Sequence, residues 1–417
     1  MEFIADLHIH SRFSRATSRE MDIPGISAAA KIKGINLVAT GDFTHPEHFE
    51  SLKKNLKPEG NGLFTHDGVN FILNVEVNGI YSQGGRLRRI HNMLFVPSFD
   101  TAERMTRYLD GYGKLASDGR PTLSLSSKDM LGKLLEIDPR AFLVPAHIWT
   151  PWFSLFGSNS GFDSIEECFG DLAGEIFAVE TGLSSDPPMN WLLSALDNRT
   201  LISNSDAHSP SRLGREANVF DCDLTYDAIR DTLKTKDRKR LKSTIEFFPE
   251  EGKYHYDGHR NCNVSLSPAE ARETDDLCPM CGRKLVIGVL HRVEQLADRK
   301  LKDVPRDVIP FTHLVPLEEI IGEALGVGRD TAGVARVYDA LVKEFGSEFE
   351  VLMKTPISDM AHHNERVAMG VERMRRGEVT AIAGYDGVFG VIQVLPGAAP
   401  TPQARAVEPG QQIGLFG

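Results

Sequence analysis

Phe3-Ile4-Ala5-Asp6-Leu7-His8-Ile9-His10-Ser11 is an apolar, strand-forming run that carries Asp6, His8 and His10 at every second position. Side chains two apart on a strand share a face, so the two imidazoles point the same way. Two histidines converging at a strand end are a common start for a metal site. Taken alone, the pair fits a solvated strand equally well; its weight comes from partners further along.

Those partners recur at a regular place. The apolar run 35–40 leads to Asp42 and His45, run 71–75 to Glu76, and run 141–145 to His147. Run 176–179 leads to Glu180, and run 201–204 to Asp206 and His208, whereas His91 opens its run, 91–96. Helix-like segments lie between them, which predicts a β/α arrangement over the first 240 residues. In β/α barrels the chemistry gathers at the strand C-termini. Seven runs that each place His, Asp or Glu near such an end point to a metal site rather than to core packing.

Composition sets the frame around this site. The 417 residues suffice for two or three domains, and 41% hydrophobic with 25% charged residues is ordinary for a globular protein. No apolar run nears the roughly 20 residues of a membrane span, and the N-terminus lacks a signal-peptide pattern. A cytoplasmic protein with no membrane partner is expected. The net charge of -11 argues against a general coat of basic residues for nucleic acid, though not against a local basic groove.

Two stretches near the presumed metals bear on substrate. Residues 79–89 hold a Gly pair with Tyr81, Arg86, Arg88 and Arg89, read either as a phosphate-binding loop or as a solvated charged turn. After His147 come Trp149 and Trp152, which could stack on an extruded base or plug the barrel mouth. The basic helix-like stretch 228–243 reads as a solvated face.

His259, Cys262, Cys278 and Cys281 form H-x2-C…x15…C-x2-C, spacing that lets two turns offer four ligands to one tetrahedral zinc, with His255 competing for a place. Cys168 and Cys222 read as buried core residues. From about 305 the periodicity turns helical and closes with a hairpin whose turn is Asp386-Gly387. This unit could contact DNA or serve as a scaffold. Residues 396–410 are linker-like, and the terminal Gln412-Ile413-Gly414-Leu415-Phe416 resembles the bacterial sliding-clamp binding pentapeptide, with Gln412, Ile413, Leu415 and Phe416 carrying the match.

The order of ligand motifs resembles the PHP family of metal-dependent phosphoesterases, which fold as distorted (β/α)7 barrels. The residues that carry it are His8, His10, Asp42 or His45, Glu76, His91, His147, and Asp206 with His208 in Ser205-Asp206-Ala207-His208. Phe13-Ser14-Arg15-Ala16 departs from the family, which often has a further ligand there. The resemblance implies two or three divalent metals (zinc, manganese or magnesium), with Asp206, His8 and Glu76 as catalytic residues.

Longer matches narrow this. Residues 6–18, Gly41-Asp42-Phe43-Thr44-His45-Pro46, residues 180–190 and Tyr385-Asp386-Gly387-Val388-Phe389-Gly390 resemble the endonuclease Q family, in a bacterial form. That implies a DNA repair endonuclease cutting 5′ to deaminated bases (uracil, hypoxanthine, xanthine) and abasic sites in single- or double-stranded DNA, with base flipping. The expected organisation is a PHP barrel at 1–243, a zinc module at 244–304, a helical DNA-contacting domain at 305–395 and a clamp-binding tail at 396–417. Tyr81, Arg86, Arg88, Trp149 and Trp152 would meet the substrate. A small-molecule phosphatase is the alternative that the barrel alone permits.

Overall fold

The computed structural model describes residues 2–397, so the expected clamp-binding residues Gln412, Ile413, Leu415 and Phe416 lie outside the described residues. All seven expected runs contain strands: β1 (Glu2–Asp6), β2 (Leu37–Ala39), β3 (Val69–Gln83), β4 (Arg86–Val96), β5 (Phe142–Pro145), β6 (Ala178–Glu180) and β7 (Thr200–Ile202). β1, β2 and β3 pair in parallel, as do β6 and β7. The far side of β1 pairs antiparallel with β8 (Ala217–Asp221), and β8 with β9 (Leu241–Glu246). The ends approach each other: Ile9 bridges Ala207, and the Leu7 amide donates to Asn204 Oδ1 at 2.9 Å. The architecture is a mixed α/β fold around a central sheet.

One strand departs from a parallel β/α plan. β4 runs antiparallel to both β3 and β5. β3 and β4 are a single long hairpin whose turn is Gly84-Gly85, with φ of 62° and 71°. Two residues cannot make the crossover of a dozen or more that a parallel neighbour needs. Residues 79–89, expected as a loop, are therefore mostly ladder. The reversal also explains why His91 opens its run: the start of β4's core half lies at the rim where the other strands finish.

The helices seat apolar faces on this sheet. Tyr226–Thr235 buries Tyr226, Ile229, Thr232 and Leu233 and is capped by the Thr225 hydroxyl accepting from the Ala228 amide. Each fully buried large apolar side chain of this kind contributes about 1.5–3 kcal/mol. The C-terminal helices Leu317–Leu325, Ala332–Phe345 and Glu365–Arg375 pack Ile320, Ile321, Val334, Leu341, Val367 and Val371 into the same continuous core. Strand Phe311–His313 extends the main sheet alongside β9. The expected terminal hairpin is present: Thr380–Ile382 pairs with Val391–Gln393, and Asp386 and Gly387 carry φ of 40° and 86°. Between these parts lies a module with its own small core of Val264, Ala271, Cys278 and Leu285, built on the ribbon Asp257–His259 and Val264–Leu266.

Candidate metal centre

The strand ends deliver the site. His8 and His10 follow β1, and Glu76 lies within β3, two residues from the Asn78–His91 pair of the ladder. Positions 76 and 91 are diagonal neighbours on one face, which brings Glu76 Oε1 to 2.6 Å from His91 Nδ1. His147 and Asp206 sit just past β5 and β7. Both hold left-handed backbone, φ 29° and 46°, as does Asp42 at 50°. Such conformations cost non-glycine residues about 1–3 kcal/mol, and three of them around one cluster mark a functional site. Asp6 serves the scaffold: its buried carboxylate accepts from the Ser205 and Gly214 amides at 3.1 and 2.9 Å, tying down the loop that carries Asp206.

Six predicted ligands form two overlapping groups. One is His8, His10, Glu76 and Asp206; the other is Glu76, His91 and His147; within each group the ligand atoms lie within 4.8 Å of one another. Glu76 is shared, as a bridging carboxylate would be. His10 Nε2 is 3.1 Å from both Glu76 Oε2 and Asp206 Oδ1. His8 Nε2 is 3.6 Å from the first and 3.9 Å from the second. His8 Nε2, His10 Nε2 and Asp206 Oδ1 are nonetheless buried with no hydrogen-bond partner. Buried polar atoms are almost always paired, so orphans aimed at a common point fit divalent cations.

The electrostatics mark an anionic pocket: against their burial, the carboxylates of Glu76, Glu180, Asp206 and Asp42 raise His8, His10 and His147 above the ordinary imidazole range, a field that favours a cation among them. Burial alone would raise Glu76, but His91, Arg120 and His8 hold it well below the usual carboxylate range. Asp206 is likewise held down, against its burial, by His208 and His10. Burial drives His91 and His208 down to about 4, leaving both imidazoles neutral near pH 7.

The remaining predicted ligands stand behind or beside these groups. Asp42 faces His10 Nδ1 at 3.2 Å and accepts from the Ser11 amide and hydroxyl at 2.7 and 2.6 Å. Burial would raise its carboxyl, but His10 and Ser11 lower it to about 2. His45 precedes helix Pro46–Asn55 and stacks on Phe13 at 4.5 Å. His208 rests Nδ1 on the Asp206 carbonyl at 2.9 Å, its ring 4.5 Å from His10.

Three supporting residues fall outside the ligand set implied by resemblance. Glu180, which ends its strand as expected, meets His8 Nδ1 at 3.0 and 3.1 Å. It also accepts from the His147 amide and from Asn204 Nδ2, both at 2.8 Å. A carboxylate on the far nitrogen of a ligand histidine fixes its tautomer and orientation. Arg120 donates to Glu76 Oε2 at 3.1 Å from a loop that no strand motif flags. Arg215 donates through Nε to the Ser205 carbonyl at 2.8 Å, bracing the Asp206 loop.

The residues read as substrate contacts are dispersed. Trp149 is fully buried and donates to Asn190 Oδ1 at 2.7 Å; Trp152 meets Tyr254 edge-on at 5.7 Å. Arg88 is buried over Phe162 and donates to the Gln83 and Gly161 carbonyls. Tyr81 donates to Ser127 Oγ at 3.1 Å, and Arg86 is exposed beside the hairpin turn. A cavity of about 410 Å³ instead adjoins the cluster; His147, Glu180, Asp206 and His208 line it together with Leu183, Phe247, Tyr254 and Phe389.

In the small module the ligand atoms of His259, Cys262, Cys278 and Cys281 lie within 4.8 Å of one another, with Cys281 Sγ 3.4 Å from His259 Nδ1. His255 stacks on Tyr256 outside this quartet. Cys168 and Cys222 are buried, and burial pushes the Cys168 thiol up to about 12.

Residues 316–378 match the MJ0043 C-terminal domain family. The uncharacterized protein MJ0043 of Methanocaldococcus jannaschii is 32% identical over 256 residues, covering 60% of this chain but 31% of that protein, so the match spans about a third of its length. The crystal structure of the lesion-specific endonuclease PfuEndoQ from Pyrococcus furiosus matches with a TM-score of 0.84 and 35% identity over 94% of this chain and 95% of that one. A complex of endonuclease Q with a 27-mer duplex substrate, an abasic lesion at its active site, matches with a TM-score of 0.86 and 34% identity over 95% and 97%.

Proposed function

The chain belongs to the endonuclease Q family, and from that premise we propose that it hydrolyses the phosphodiester 5′ to deaminated bases and abasic sites in DNA. The observation that carries the reading is the pair of ligand groups sharing Glu76, set beside a cavity in the size range of small-ligand sites. The central sheet is read as a distorted seven-stranded PHP barrel, followed by a zinc module, a helical DNA-contacting unit and a clamp-binding tail, with the boundaries given above.

His8, His10, Glu76 and Asp206 would hold one divalent ion, and Glu76, His91 and His147 a second. Bound there, such ions supply hydroxide near neutral pH and neutralise charge developing on the phosphate. The chain's own residues do the rest. Glu180 and Asp42 fix the His8 and His10 rings through their Nδ1 atoms, and the Ser154 hydroxyl lies 3.1 Å from His147 Nδ1. Arg120 keeps Glu76 ionised and places a guanidinium at the rim. Arg215 and Asp6 hold the loop that presents Asp206. The cavity takes the flipped base, extruded most easily from a weakened pair. The quartet His259, Cys262, Cys278 and Cys281 takes one structural zinc.

The test is incubation of end-labelled duplexes carrying uracil, hypoxanthine or an abasic site, with and without manganese or magnesium, and mapping of the cut. Metal-dependent nicking 5′ to the lesion is expected. Release of inorganic phosphate from small esters with all duplexes intact would overturn the reading in favour of a small-molecule phosphatase.

A further inference from the structure

Phe389 is the one exposed aromatic residue among the described residues, 49% accessible, and it lines the cavity beside the ligand cluster. Its exposure does not come from a slack loop. The Gly384, Gly387 and Gly390 amides donate to the Glu250, Lys253 and Glu251 carbonyls at 2.7, 2.9 and 3.0 Å. Asp386 accepts from the Arg260 amide at 2.6 Å. Gly384 and Gly390 are packed so tightly that a Cβ would fall 2.4 Å from the Gly252 carbonyl oxygen and 2.1 Å from that of Glu250. The segment is a fixed mount, and what it presents is a bare ring.

The two faces of that ring differ. Lys253 Nζ sits 4.5 Å from the centroid, so a cation covers one face. An intercalating wedge needs both faces free for the base pairs it separates, whereas a stacking wall needs one. His147, Asp206 and His208 line the same cavity. Of the aromatic residues lining this space, Phe247 is buried and Tyr254 packs edge-on against Trp152, which leaves Phe389 as the exposed ring for a nucleobase entering beside a phosphate at the ligand cluster.

We propose that Phe389 is the wall on which the extruded base stacks, with Lys253 backing the ring. This rests on the base-flipping nuclease reading above. Its test compares Phe389→Ala, Phe389→Trp and wild type on uracil, hypoxanthine and abasic duplexes, because an abasic site has no base to stack. Removing one base–aromatic stack lowers kcat/KM by roughly 5- to 150-fold. That loss is expected on uracil and hypoxanthine, while abasic nicking by Phe389→Ala stays within about twofold, and Phe389→Trp recovers most of the loss. Anisotropy binding without metal is expected to show the same split. Equal losses on all three duplexes, or none on any, overturn the inference while the wild-type nicking upholds the nuclease. A wild type that cuts no duplex overturns both.

Discussion

Glu180→Gln isolates how much of the ligand geometry comes from one residue behind the site. Every group that Glu180 meets is a donor when His8 binds through Nε2. Oε1 faces His8 Nδ1 at 3.0 Å and Asn204 Nδ2 at 2.8 Å, while Oε2 faces the His147 amide at 2.8 Å. A glutamine keeps the shape but must turn its NH2 toward one of these donors, whichever way it flips. An unsatisfied buried donor costs about 1–3 kcal/mol. Changes to groups that orient a ligand histidine typically weaken metal binding about 10- to 100-fold, which is about 1.4–2.7 kcal/mol, so the two scales agree. The assay is manganese titration of apo protein by calorimetry, paired with nicking rates over the same free-metal range. Both midpoints should shift by that factor and the rate should recover at saturating metal. Unchanged midpoints would refute the orienting role. A lasting loss of rate at saturation with unchanged affinity would assign Glu180 to the chemistry instead.

Asp206→Ala removes a ligand at the cavity edge and should abolish nicking while gel-shift binding of lesion duplexes stays largely intact; loss of both would make the site structural. Cys278→Ser, or a zinc chelator, should open the small module first, since its core holds only Val264, Ala271, Cys278 and Leu285, and protease cuts within 257–285 report it. An uncut module in metal-free protein would refute a structural zinc. Burial pushes Glu246 up to about 7 in spite of the Thr244 and Ser203 hydroxyls, from 4.5 in the unfolded chain. The native state thus keeps a proton that the unfolded chain has lost, so this stabilisation is complete below about pH 4.5 and lost as pH climbs through about 7, on the order of 3 kcal/mol. Glu246→Gln should therefore melt progressively higher than wild type between pH 5 and 8, and a constant difference in Tm would rule the shift out.

Part of the site was legible because local rules govern it. Strand alternation places His8 and His10 together whatever the rest of the chain does. The H-x2-C and C-x2-C pairs need only a turn each. What was not legible depends on residues remote in sequence. Arg120 reaches Glu76 from 44 positions away, and no periodicity announces such a contact. Trp149 and Trp152 share one short loop, yet one is buried against Phe156 and the other is half-exposed, because Asn190 and Tyr254 decide their settings. Phe389 lay in a motif that resembled the family without revealing which face it would show.

From its sequence alone this chain declared a β/α body, the residues fit to bind metal near its strand ends, and a cysteine-rich module, because those follow from side-chain period, ligand chemistry and spacing along a few residues. Only the tertiary structure settled that β4 runs backwards, that Glu76 is shared while Asp42 backs His10, and that a bare ring faces the cavity. Those outcomes depend on which distant backbones pack together, and burial and hydrogen-bond pairing across the sheet, not local propensity, select them.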